Sequence, residues 1–199
     1  MKIAIILLTI GLIAVSPSCF AATDSTTSNG GTTQSSGDPI FMQYSGITGD
    51  STKGPACSGI ELNSFQWGVG RGISSPTGSA ADRESSTPSV SEIVVTKSTD
   101  SSSPKLLYAS LTRTQGSAHI DFCKTSSDNG QLAPYLSFDL TNTLISGFSI
   151  SSGGDRPTES ITLNFAKIMM TDVPTGNAVS FDVFTHKATF LVPVTNPGS

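Results

Sequence analysis

The sequence predicts a mainly β fold, a mostly antiparallel barrel or sandwich with a single helix. Three observations carry this expectation. Apolar residues recur at every second position through long stretches, turn residues punctuate those stretches, and only one segment has helical start signals and spacing. Composition agrees with it. Of 199 residues, 13% are charged, against the roughly 25% usual for soluble domains, and Ser, Thr and Gly fill the gap.

The elements follow in chain order. Lys2 precedes an apolar run from Ile3 to Val15, then Ser16, Pro17 and a small-residue stretch ending at Ala21–Ala22. A basic start, an apolar middle and a small-residue end describe a secretory signal peptide over 1–21. The run falls short of the about 20 apolar residues a membrane span needs, so no stable membrane insertion is expected once it is removed. Cleavage after Ala21 puts Cys19 and Ala21 at the small-residue positions. A lipoprotein site at Cys19 is the alternative, although Ser16 stands where a lipobox wants Leu. Residues 23–37, TDSTTSNGGTTQSSG, carry no apolar residue, so nothing there offsets the entropy of ordering, and 22–38 is a disordered linker.

The domain then spans 39–195. IFMQYSGITGD supplies a first strand and a Gly-Asp turn. Ile60, Leu62, Ser64, Gln66 and Val69 straddle a strand that includes Phe65 and Trp67, and 72–88 is a long exposed loop rich in Ser, Pro and Gly. VSEIVVTKST (90–99) is a β-branched strand. In SSSPKLLYASLTRT, Ser103 as N-cap, Pro104 in the first turn, and Leu107 and Leu111 four apart make a short helix. YLSFDLTNTLISGFSI places Leu136, Phe138, Leu140, Leu144, Phe148 and Ile150 on one parity and Ser137, Asp139, Thr141 and Thr143 on the other. Ile161, Leu163 and Phe165 alternate in the same way, and a parity switch at Ala166–Ile168 predicts a bulge or strand end. A last strand pair falls within 180–194. The tally is seven or eight strands.

Charge and cysteines bound the function. A net charge of −4 and no Lys/Arg block argue against nucleic-acid binding. Of the three cysteines, cleavage removes Cys19. Cys57 and Cys123 remain, and in an exported chain they most simply pair with each other; two separate buried thiols are the alternative. Such a bridge adds roughly 3–5 kcal/mol in the chain-entropy picture.

Each candidate for chemistry meets a plainer explanation. His119, Asp121 and Cys123 share one face of AHIDFCK and could converge on a metal with His186 as fourth partner, but a solvated strand face with a bridged cysteine explains them better. WGVGRG (67–72) looks like a phosphate loop but lacks the strand–glycine–helix unit and a following Lys-Ser/Thr, so its glycines mark a strand end. There is no G-x-S-x-G elbow for nucleophilic catalysis. Asp155, Arg156 and Glu159 crowd into SGGDRPTESITLNF beside Gly153, Gly154 and Pro157. They form either a carboxylate pair held by Arg156 or, the reading favoured here, a charged turn that meets a neighbouring subunit. No cofactor or metal is expected.

The arrangement of these segments resembles the Hcp (hemolysin-coregulated protein) family of type VI secretion tube subunits. SFQWGVGRG is similar to the family's Phe-x-Trp-Gly strand end, and SEIVVTKSTDSSSPKLLYAS to its strand, Thr-Lys turn and helix. YLSFDLTNTLISGFSISSGGDRPTESITLNFAKI is similar to its long strand, Gly-rich turn, Pro-Thr-Glu and return strand. The resemblance covers about Phe41 to Asp172. It implies a β-barrel of two antiparallel sheets with one flanking helix, no enzymatic activity, assembly into hexameric rings that stack, and protein partners or small effector cargo. Family tube proteins ordinarily lack a signal peptide. The leader here points to a secreted or periplasmic protein released by another route, type II secretion for example. An exported β-sandwich carbohydrate-binding module or hydrolase is the alternative.

Overall fold

The computed structural model describes residues 37–193, apart from 52, 55, 77 and 79–82. The predicted signal peptide, Cys19, residues 22–36 of the predicted linker and residues 194–195 of the predicted domain lie outside the described residues.

In chain order the strands are β1 (Ile40–Tyr44), β2 (Ile60–Leu62), β3 (Ser64–Gln66), β4 (Val69–Gly70), β5 (Ile73–Ser74), β6 (Glu84–Ser85), β7 (Ser89–Val90) and β8 (Ile93–Ser98). The helix α1 (Ser103–Thr112) follows, and then β9 (Gly116–Thr125), β10 (Leu132–Ser151), β11 (Thr158–Asn164), β12 (Lys167–Asp172), β13 (Asn177–Asp182) and β14 (Lys187–Leu191). The main path runs β14-β13-β12-β10-β11-β8-β3, with β9 beside β10, β1 beside β9 and β2 beside β1. All of these pairings are antiparallel. The result is the expected mainly β fold, a barrel of two antiparallel sheets with one flanking helix.

The 20-residue β10 makes the barrel possible. Its first half lies between β9 and β12, and its second half pairs with β11. The strand turns between the layers at Asn142, whose φ is +51°, a left-handed conformation that Asn tolerates better than most residues. Register shifts there, and again between Ile145 and Gly147. Each shift reverses which parity faces inward. The single parity expected across Leu136–Ile150 is therefore corrected: Phe138 and Leu140 are buried, then Thr143 and Ile145, while Ile150 is exposed.

Elsewhere local pattern and burial agree. β8 and β11 alternate strictly, so Ile93, Val95, Ile161 and Leu163 join Met42, Ile60, Ile120 and Ile168 in one core. Phe65, Trp67 and Phe122 gather around Phe138 at ring-centroid distances of 5.0–5.9 Å, in the tilted and edge-on arrangements aromatic rings prefer. The parity switch at Ala166–Ile168 is a strand end, between β11 and β12.

Three expectations change. The one strand over 60–69 is three: β2 pairs with β1 and β3 with β8, because the chain crosses between layers at Asn63. The loop 72–88 belongs to a two-stranded arm, where β4 pairs with β7 and β5 with β6; a lone ribbon has no second layer, so its side chains stay exposed. The helix is present, but Ser102 occupies the cap and Ser103 is its first residue. Its buried face is Ser103, Leu106 and Ala109, the set three apart, whereas Leu107 and Leu111 point outward.

Candidate functional site: a turn, a buried ion pair and a histidine clamp

Register between β8 and β11 sets Glu159 directly across from Lys97. Both side chains are shut away from solvent, at 1% and 0% exposure. Lys97 Nζ donates to Glu159 Oε2 at 3.0 Å, Asp100 Oδ1 at 2.7 Å, Ser103 Oγ at 3.1 Å and the Ser98 carbonyl at 2.9 Å. A buried ammonium persists only when its charge and hydrogens are matched in this way. Ser103 Oγ also accepts from the Asp100 amide at 3.0 Å, so the serine read as a helix cap instead ties the helix start to the ion pair. Burial alone would raise the Asp100 carboxyl, but hydrogen bonds from Lys97 and Ser102 outweigh it and hold the group below the ordinary carboxylate value.

The charged turn therefore divides. Asp155 and Arg156 are exposed, while Glu159 is buried. Ser152 Oγ donates to the Asp155 carbonyl at 2.8 Å, Gly154 adopts φ +115°, and Arg156 Nε donates to the Thr99 carbonyl at 2.7 Å. Asp155 and Arg156 remain open to a neighbour. Glu159 is corrected: a carboxylate held inside by Lys97 offers no surface to another subunit and cannot act in a pair with Asp155.

The second charged site is on the outer face of β9 and β10. His119 Nδ1 meets Asp139 Oδ1 at 2.6 Å and Nε2 meets Asp121 Oδ1 at 3.0 Å. Both ring nitrogens face carboxylates, so both carry hydrogen and the ring is imidazolium. Hydrogen bonds to Asp121 and then Asp139 push its pKa up to about 10, against the opposing effect of burial. Ser137 Oγ donates to the same Asp121 oxygen. The shared strand face of His119, Asp121 and Cys123 is thus real, but it makes a salt-bridged clamp. Cys123 joins Cys57, with the sulfurs 2.06 Å apart in a small core with Phe41 and Leu132. His186 sits at φ +53° in the turn between β13 and β14, and no group of three or more His, Cys, Asp or Glu suited to a metal occurs among the described residues. An open groove of about 520 Å³ beside His119 is lined by Gln43, Ser45, Ser58 and Ser117 among others, yet neither imidazole nitrogen is free to act in it as a base.

The model of one protein family, described as type VI secretion system effector, Hcp, matches residues 41–171. The chain belongs to the Hcp family. Solved structures agree in fold. A structure of a type six secretion system protein shares 21% identity at a TM-score of 0.65, covering 76% of this chain and 99% of that one. Hcp1 from Salmonella typhimurium shares 22% at 0.61, covering 76% and 98%. An Hcp1 mutant from E. coli EAEC 042 shares 23% at 0.63, covering 72% and 97%. No protein of curated function matches the chain.

Within this Hcp-family barrel, two of the three stretches that carried the resemblance, the one with the helix and the one with the long strand, supply Lys97 and its partners Asp100, Ser103 and Glu159. Sequence reasoning missed that pair because Lys97 ended a β-branched strand and Glu159 belonged to a polar turn. The available signal was parity: Lys97 continues the inward series Ile93, Val95, and Glu159 precedes Ile161 and Leu163 on the inward side. It also missed Asp139 as the partner of His119. WGVGRG is a strand end as expected: Val69 and Gly70 form β4, and the Gly68 amide donates to Ser91 Oγ at 3.0 Å.

Proposed function

We propose that this chain is an exported, non-enzymatic Hcp-type subunit that self-associates into rings, hexameric as the family resemblance implies, with its barrel surfaces open to protein partners or small effector cargo. The observation that carries the reading is the family match over 41–171, which spans most of the barrel. The disposition of the reactive groups supports it. Lys97 and Glu159 neutralise each other inside, His119 is clamped through both nitrogens, and Cys57 is joined to Cys123, so these five groups are engaged structurally. Trp67 packs edge-on against Phe138, with ring centroids 5.9 Å apart, rather than offering a platform for a sugar.

Export delivers the barrel to a periplasmic or extracellular setting, where the Cys57–Cys123 bridge forms and persists. Two measurements test the reading. Light scattering on the mature protein should give an oligomer; a strict monomer at high concentration defeats the ring. Sequencing the N-terminus of the released protein should begin at Ala22; persistence of Met1 to Ala21 defeats export through a cleaved signal.

A further inference from the structure

One row of side chains begins in the core and runs out of it. Register across β9, β10, β12, β13 and β14 aligns Ile120, Phe138, Met170, Val179 and Phe190 abreast, and directly opposed residues on antiparallel strands share a face. Along this row exposure goes from 0% and 4% at Ile120 and Phe138 to 39%, 37% and 63% at Met170, Val179 and Phe190. The core-facing side of the sheet thus extends past the layer that covers it. An uncovered apolar row of this kind marks an interaction surface.

A second uncovered apolar face lies on α1. Pro104, Leu107, Tyr108 and Leu111 stand at i, i+3, i+4 and i+7, one side of a helix. Leu107, Tyr108 and Leu111 are 41%, 66% and 75% exposed, while Leu106 and Ala109 on the other side fill the core. The helix already packs on β10 through that inner side, so its outer stripe does not reach the row of its own copy.

We propose that these two faces cover each other between copies: α1 of one copy seats Leu107, Tyr108 and Leu111 on the Met170–Val179–Phe190 row of the next. A helix laid on a sheet face is ordinary layer packing. The inference rests on the self-association reading above and assigns its surfaces. A second copy is the occupant because it carries an uncovered apolar stripe to set on the row, whereas residues 23–36 contain no apolar side chain and VTNPGS (194–199) contains a single valine. Charge also fits, with exposed Lys105 beside the helix stripe and exposed Asp172 two residues from Met170 on the row's face. The contact joins unlike surfaces, so each copy keeps one face of each kind and association proceeds head to tail until a ring closes.

The test uses the mature full chain and the variants F190D and L111D, both at exposed positions, with light scattering and thermal melting. Each variant alone should be monomeric at concentrations where the parent is oligomeric, at least about tenfold weaker in association, and should melt like the parent monomer. Mixed together, they should form a heterodimer of one copy each, because F190D keeps its helix face and L111D its sheet row. Capture in the mixture also shows that both are folded. If the parent assembles and either variant assembles equally well, or if the mixture stays monomeric, this contact is wrong while self-association stands. A parent that is monomeric throughout overturns self-association itself, and the contact with it.

Discussion

The barrel carries two charged clusters of similar make-up in opposite surroundings. The Lys97 cluster, with Glu159, Asp100 and Ser103, is inside, its lysine 0% exposed. The His119 cluster, with Asp121 and Asp139, lies on the outer sheet face, its imidazole 38% exposed. Inside, each charge depends wholly on its partners, since no water replaces a lost one. Outside, solvent reaches His119 and Asp139 and screens their attraction, while Asp121 is itself covered and is held by His119 and Ser137. Burial, more than the number of bonds, sets how much the fold depends on each cluster.

The largest expected break is inside. Glu159→Ala takes away one of the two carboxylates on the buried Lys97 ammonium, leaving Asp100 as its counter-charge, and opens space in the core; it should cost about 3–5 kcal/mol in urea unfolding. A double replacement, Lys97→Met with Glu159→Leu, should recover most of that loss; if it is as damaging as the single change, the cost comes from packing and not from the broken ion pair. At the second cluster, His119→Asn should cost less, about 1–2 kcal/mol, because water screens the half-exposed ring and Asp139 while the covered Asp121 carboxylate loses its charged partner.

Acid and base sharpen the contrast further. His119 has its folded pKa raised from 6.5 to about 10, so the stability it adds is full below about pH 6.5 and fades as pH rises through about 10. The difference between the parent and His119→Asn should therefore be present at pH 6 and shrink towards pH 10.5. Asp100 is lowered, so its contribution is present above the ordinary carboxylate range and is lost as pH falls through its folded value. The parent's advantage over Asp100→Asn should hold at pH 6 and disappear in acid. The smallest effect belongs to the exposed turn: Asp155→Ala should change stability by less than about 0.5 kcal/mol, and a larger loss in the monomer would make Asp155 part of the fold.

These differences also show what was legible. β8, β11 and the first half of β10 could be read because alternation depends on a residue's own neighbours. The helix start was placed within one residue from Pro104 and the preceding serines, but its buried side was not, since Leu106 and Leu107 are equally apolar and only contact with β10 chooses between them. Asn142 hid the reversal in β10, because a polar residue in a strand looks the same whether it faces water or turns the chain. Glu159 was grouped with Asp155 and Arg156 by closeness in sequence, whereas its partner lies 62 positions away.

Composition, periodicity and turn residues by themselves determined a mainly β fold, barrel or sandwich, with one helix, because backbone geometry answers to short-range pattern. Tertiary structure alone decided that Glu159 meets Lys97, that His119 lies between Asp121 and Asp139, and that the row from Ile120 to Phe190 outruns its cover. Each of these depends on the register of strands distant in the chain, and a shift of one residue would turn every side chain concerned to the opposite face.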